Sequence, residues 1–274
     1  MQSAQIEGRV IEYRLEETGA GSTGVAGDSD NAPVLVFSNS LGTDLRVWDA
    51  LLPQLPEGLR VLRYSKAGHG LSDLAGERSI AAHADDLLAL MNQLGIARAT
   101  LVGLSVGGMI AQALAAAAPE RVAGLVLCCT AQKIGTPEIW NERIDGIRAG
   151  GLASLADAVM QRWFSPAFRE TQPADLAIWR NMLLRTPADG YSAVCAAIRD
   201  ADLTATTATI SVPTFCVAGS LDGSTPPEVV RGLAELIPDA DFEVIEGVGH
   251  IPCVEAPERL GQLISAFLKE HGLG

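Results

Sequence analysis

Short apolar runs alternate with amphipathic stretches at both ends of the chain, while the middle follows a different rule. Val34–Phe37 reads Val-Leu-Val-Phe, a continuous apolar run of the kind that a strand covered on both faces requires. Similar runs predict strands at Val61–Tyr64, Ala99–Val102, Leu125–Leu127, Thr214–Ala218 and Phe242–Ile245. Helices are expected between them, over Leu45–Leu55, Ser79–Leu94, Val106–Ala118, Pro227–Leu236 and Pro257–Lys269. In Ser79–Leu94 the apolar stripe comprises Ile80, Leu87, Leu88, Leu90, Met91 and Leu94, which leaves His83 for the solvated face. Upstream, Val10, Ile11, Tyr13 and Leu15 mark one more strand. The Gly- and Ser-rich stretch Gly19–Asp30 reads as a flexible loop leading from it to Val34.

This rhythm predicts an α/β fold with a doubly wound, mostly parallel sheet. It breaks at Lys133. From there to Asp200 the pattern is helical throughout, with Trp140, Trp163, Phe164, Phe168, Trp179 and Tyr191 among its residues. Turn signals at Thr136-Pro137, Ser165-Pro166, Gln172-Pro173 and Thr186-Pro187 cut it into about four helices. A helical block inserted after the sixth strand is expected to form a lid over the carboxyl edge of the sheet, where ligands bind in such folds. The expected organisation is a core of residues 1–132 and 201–274 and a helical cap of residues 133–200.

The 274 residues are 48% hydrophobic and 19% charged, enough chain for a full core. The net charge of −13 repels phosphate backbones, and no run of Lys and Arg offsets it, which argues against a nucleic-acid role. The charge is unevenly spread. Residues 133–200 hold eight Lys or Arg and eight Asp or Glu, so the whole negative balance belongs to the core. The helical block is thus the part better able to face an anion. No stretch of about 18 apolar residues is present, and the opening MQSAQIEGRV lacks an apolar signal core, so a cytoplasmic protein without membrane association is expected. The five cysteines, Cys128, Cys129, Cys195, Cys216 and Cys253, are odd in number and show no CxxC spacing. They are expected to be reduced, buried residues rather than disulfides or metal ligands.

The chemistry centres on Gly103-Leu104-Ser105-Val106-Gly107, a G-x-S-x-G string placed directly after one predicted strand and before a helix. That is the setting of a nucleophile elbow, a sharp turn that exposes a serine hydroxyl. Such a serine needs a base, and the base an orienting carboxylate. Of the four histidines, His271 is terminal, His83 is assigned to a solvated helix face and His69 to a hydrogen-bonded turn. His250 follows the last strand and is the expected base. Asp222 follows the preceding strand and lies between Ser105 and His250 in chain order, as the orienting carboxylate should. Two backbone N–H groups should bind the oxyanion: that of Val106, and that of Leu41 just after the Val34–Phe37 run.

This constellation resembles the α/β-hydrolase family over nearly the whole chain, and within it the 3-oxoadipate enol-lactonases of bacterial aromatic degradation. The stretches that carry the likeness are Ser38–Thr43, Gly103–Gly108, Cys128–Trp140, Leu155–Phe164 and Gly190–Leu203. The resemblance implies a small five-membered enol-lactone with a carboxylate as substrate, opened to 3-oxoadipate in the β-ketoadipate pathway through an acyl-serine, without metal or cofactor. It makes Lys133, Arg143 and Arg162 the candidate partners of the substrate carboxylate and Trp140 a candidate pocket residue. The partner expected is this small anionic lactone or ester, with homo-oligomers left open. Two features depart from the family pattern. Ser65 and Ala67 stand where these lactonases usually carry Asp and Arg, which removes an ion pair from that turn, and Val106 replaces the usual Met. The same triad would also serve a carboxylesterase or perhydrolase of other small esters, or a slow-turnover ligand receptor of the same fold.

Overall fold

The computed structural model describes residues 2–19 and 32–274, so the expected Gly19–Asp30 loop lies, but for Gly19, outside the described residues. Eight strands form one sheet. They are β1 (Gln2–Ile6), β2 (Arg9–Glu17), β3 (Val34–Ser38), β4 (Arg60–Tyr64), β5 (Ala99–Leu104), β6 (Val122–Cys128), β7 (Thr214–Gly219) and β8 (Asp241–Ile245). Their order is β1-β2-β4-β3-β5-β6-β7-β8. The β1–β2 and β2–β4 pairs are antiparallel and every other pair is parallel. Every residue of β3, β5 and β7 is buried, which is what their unbroken apolar runs require. β1 was not expected. It is an edge strand whose sequence is mostly polar because only Ala4 and Ile6 turn inward.

The helices are α1 (Ile80–Gln93), α2 (Val106–Ala117), α3 (Pro137–Gly150), α4 (Ala156–Trp163), α5 (Pro166–Thr171), α6 (Pro173–Arg185), α7 (Ala188–Asp200), α8 (Thr204–Thr207), α9 (Pro227–Leu236), α10 (Pro252–Glu255) and α11 (Pro257–Glu270). α1 packs on α2, α2 on the central strands β3, β5 and β6, and α9 on β7 and β8. Ser79 caps α1, its side chain accepting from Ala82 N–H.

Three expectations need correction. Leu45–Leu55 is not one helix but two 3₁₀ turns, Leu45–Trp48 and Leu52–Gln54. A continuous α-helix would drive the Pro53 ring into the carbonyl four residues back and lose its hydrogen bond. His83 is buried, not solvated. It lies three residues after Ile80 and four before Leu87, on the same helical stripe, so the period that buries its apolar neighbours buries it too. Residues 133–200 hold five α-helices (α3 to α7) rather than about four. The additional break falls at Gly150-Gly151, where Gly151 has φ 65°, a left-handed conformation suited to glycine.

The turn after β4, which holds the Ser65 and Ala67 noted above, is tied to a carboxylate on β2. Ser65 Oγ donates to Glu12 Oε2 at 2.9 Å, and Leu71 N–H donates to the same oxygen at 3.0 Å. Ser65 Oγ also accepts from Leu45 N–H. Glu12 thus brings a carboxylate to a turn whose own sequence has none. Gly70 is obligatory beside it: a Cβ there would lie 2.5 Å from Ser65 Oγ and 2.6 Å from Glu12 Oε2.

Candidate active site

Ser105 stands at the junction of β5 and α2 with φ 57° and ψ −121°, a conformation that costs a non-glycine residue about 1–3 kcal/mol and that only surrounding contacts can sustain. Those contacts are present. Ser105 N–H donates to Cys128 O at 3.0 Å, and Ser105 O accepts from Thr130 Oγ1 at 2.6 Å and Gly108 N–H at 2.8 Å. The glycines of the motif follow from close approach. A Cβ on Gly107 would lie 2.0 Å from Ser38 O, one on Gly103 2.6 Å from Gly107 O, and one on Gly108 2.5 Å from Thr130 Cγ2. The ends of β3 and β6 can therefore close on the turn only because these positions lack side chains.

Asp222 and His250 meet across the ends of β7 and β8. His250 Nδ1 lies 2.8 Å from Asp222 Oδ2, with both side chains almost fully buried. Asp222 also accepts from Ser224 N–H (2.7 Å), Thr225 N–H (3.1 Å) and Thr225 Oγ1 (2.8 Å). Burial pushes the Asp222 carboxyl up, but the His250 ring and these backbone donors together outweigh it and hold it below its ordinary value. Asp222 is thus an ionised acceptor that fixes the His250 ring and leaves Nε2 for work. The His250 backbone N–H donates to Trp163 O at 2.8 Å. Glu255 accepts from Gly249 N–H at 2.9 Å through Oε1 and from Ser165 N–H at 3.0 Å through Oε2, tying the histidine loop to the start of α5. Cys129 Sγ lies within 4.8 Å of both the Asp222 and His250 atoms. Burial pushes that thiol well up, so it is a protonated neighbour of the pair and not a thiolate ligand.

Ser40, Leu41, Ser105 and His250 from the core, and Trp140, Arg143, Arg162, Trp163 and Tyr191 from helices α3, α4 and α7, line a cavity of about 180 Å³. A cavity of this size suits a small molecule. Among the described residues, neither Leu41 N–H nor Val106 N–H donates to a protein acceptor. Both neighbours of the Leu41 N–H are held. Ser40 O accepts from Lys66 Nζ at 2.7 Å, and Gly42 N–H donates to His69 Nε2 at 3.0 Å. His69 is therefore the hydrogen-bonded turn residue that its sequence setting indicates. Burial holds its pKa well down, so the ring stays neutral and Nε2 can accept.

The three cationic candidates part company. The half-buried Arg143 places its guanidinium 4.8 Å from the centre of the Trp140 ring. Burial, and then repulsion from Arg143, lowers the Arg162 guanidinium from its ordinary value. Among the described residues neither arginine takes part in an ion pair. Lys133 lies away from the cavity, exposed and paired with Asp202 at 3.0 Å. Trp140 lines the cavity with its ring nitrogen donating to Ile134 O at 2.6 Å. Sequence reasoning did not find Lys66, Glu12 or Glu255. A lysine or glutamate in a loop reads as a surface charge, and only its burial or its partners distinguish it.

A profile of the alpha/beta hydrolase fold matches residues 33–257. The chain belongs to the α/β-hydrolase family. It is 36% identical to 3-oxoadipate enol-lactonase 1 of Acinetobacter baylyi over 242 residues, 88% of this chain and 90% of that protein. It is 34% identical to 3-oxoadipate enol-lactonase 2 of the same organism, over 86% of this chain and 89% of the other. The enol-lactonase structure from Burkholderia xenovorans LB400 superposes with a TM-score of 0.91 at 37% identity, over 98% of this chain and all of that one. This α/β-hydrolase is an enzyme, an ester hydrolase similar to enol-lactonases. Among its described residues no helix is long and apolar enough to cross a membrane.

Proposed function

We propose that this α/β-hydrolase opens a small enol-lactone that carries a carboxylate, with 3-oxoadipate enol-lactone as substrate. The observation that carries the reading is one cavity with two differently equipped walls. Ser105 and His250 line it from the core, and two arginines without carboxylate partners among the described residues, Arg143 and Arg162, line it from the helical segment. Kinship with enol-lactonases supports the same substrate class. An esterase of neutral substrates has no need of two unpaired cations beside its nucleophile.

In this mechanism Ser105 Oγ loses its proton to His250 Nε2 and attacks the ring carbonyl. Asp222 keeps the His250 tautomer and stabilises the imidazolium that forms. The carbonyl oxygen, now negative, is received by the N–H groups of Leu41 and Val106. The tetrahedral intermediate expels the ring oxygen as an enolate, a better leaving group than an alkoxide, which takes up a proton to become the ketone. Water, deprotonated by His250, then attacks the acyl-serine and releases the second carboxylate of 3-oxoadipate. Arg143 and Arg162 hold the carboxylate already present on the lactone, and helices α3 to α7 serve as the lid that supplies them.

The test is steady-state hydrolysis of 3-oxoadipate enol-lactone, with phenyl acetate alongside. Rapid lactone turnover, reduced by on the order of 10⁴–10⁶-fold in Ser105→Ala, is the expected outcome. Turnover of phenyl acetate without lactone turnover would refute the substrate, and full activity in Ser105→Ala would refute the mechanism.

A further inference from the structure

Lys66 is one of three lysines in the chain and the one that is fully buried. Its ammonium has no carboxylate within ion-pair distance among the described residues, and its hydrogen bond goes to Ser40 O at 2.7 Å. Burying a cation with no ion-pair partner is costly, so its position calls for an explanation. The place is specific. Ser40 C=O and Leu41 N–H belong to the same peptide group, and in the reading above Leu41 N–H is an oxyanion donor. A cation on the carbonyl end draws electron density along the amide and makes its N–H a stronger donor, as neighbouring hydrogen bonds polarise one another. The same bond, the shortest that this carbonyl accepts, also helps to hold the peptide's orientation. Thr43 Oγ1 also donates to Ser40 O, at 3.1 Å, so the carbonyl remains partnered when the lysine is replaced.

We propose that Lys66 is a positioning residue of the hydrolysis: from behind the oxyanion hole it orients and polarises the Ser40–Leu41 peptide, so that its charge stabilises the tetrahedral oxyanion without touching substrate. This rests on the assignment of Leu41 N–H to the oxyanion. The groups facing Lys66 are Asp44 beyond β3, His69 in its own turn and His83 on α1. Burial lowers the Lys66 pKa to about 7 and Asp44 opposes this, while burial keeps both histidines neutral. Two consequences follow. kcat falls as pH rises through about 7, where the ammonium is lost. Stability moves the other way. The folded pKa is below the unfolded one, so the unfolded chain binds more protons from about 7 up to the ordinary lysine value of about 10.4, and raising the pH over that window relieves the cost of the buried charge.

The experiment compares wild type, Lys66→Met and Lys66→Gln in hydrolysis of the lactone and of phenyl acetate, in binding of phenylboronic acid and in thermal unfolding. The boronic acid forms an anionic tetrahedral adduct on the serine and so reads the oxyanion hole. Lys66→Met should lower kcat about tenfold with KM within about twofold, less than the 10²–10³ that loss of a direct donor costs. Boronate affinity should fall by the same factor, the alkaline limb near pH 7 should vanish, and unfolding should occur at the same or a higher temperature. Lys66→Gln, which retains a neutral donor, should fall between. Wild-type kcat, boronate affinity and alkaline limb in a folded Lys66→Met would overturn the proposal. Retained activity in Ser105→Ala would instead overturn the acyl-serine mechanism from which the Leu41 assignment follows. Should neither variant fold, ¹³C-lysine NMR of the wild type decides. The Lys66 Cε signal should titrate near pH 7 and move to a higher pKa in the boronate adduct, and a signal indifferent to the adduct would overturn the proposal.

Discussion

The two walls of the cavity are built on opposite rules. On the core wall the supporting polar groups are satisfied before any ligand arrives: Asp222 accepts from His250 and from three other donors, and Ser40 O and Gly42 N–H are both engaged. On the helical wall the cations lack carboxylate partners: Arg143, against the Trp140 ring, and Arg162 line the cavity without ion pairs among the described residues. In the proposed mechanism the contrast separates chemistry from recognition. A preorganised wall stabilises charge that develops during reaction, whereas unpaired cations interact alike with the carboxylate of the bound substrate and of the transition state. Damage to the first should therefore appear in kcat, and damage to the second in KM.

The sharpest way to break this contrast is Asp222→Asn. It removes the acceptor that selects the His250 tautomer, and kcat should fall by about 10⁴-fold with KM nearly unchanged. A comparable rise in KM would mean that the core wall also binds substrate. On the opposite wall, Arg143→Ala should raise KM for the carboxylated lactone about 10- to 100-fold, the value of a charge-assisted hydrogen bond, and leave phenyl acetate kinetics unaltered. Equal effects on the two substrates would make Arg143 a packing residue of Trp140. The smallest effect belongs to Glu12→Gln, behind the core wall. It weakens the hydrogen bonds to Ser65 and Leu71 N–H and should cost about 1 kcal/mol in denaturant-induced unfolding while changing kcat less than threefold.

These walls differed in how far the sequence revealed them. Strands β3 to β8 and the Gly103–Gly107 turn were legible because their constraints are local: an apolar run must be covered on both faces, and a strained serine needs glycines on both sides. The order Ser105, Asp222, His250 placed each residue beyond a strand end, where the sheet brings the last two together. Long-range compensation was not legible. Glu12 supports a turn more than fifty residues away, and nothing near either position announces it. Nor does sequence give the direction of a charge. Lys133 and Arg162 lie in lactonase-like stretches and Arg143 just beyond one, yet Lys133 turns to Asp202 on the surface while the arginines reach the cavity. His83 was misplaced because the eye follows apolar residues along a helix, whereas burial follows the angle.

The attachment of the helical segment to the histidine loop bears on ligand traffic. His250 N–H holds Trp163 O, and Glu255 grips Gly249 and Ser165 together. The segment is thus tied to the His250 loop itself, and any opening that displaced Trp163 would break or drag the His250 N–H bond with it. Ile139, about half exposed, lines the cavity with Trp140 and Arg143. In the proposed mechanism, exchange by that way would leave the contact intact, and the arginine proposed to bind the lactone carboxylate would also meet the doubly charged product as it leaves.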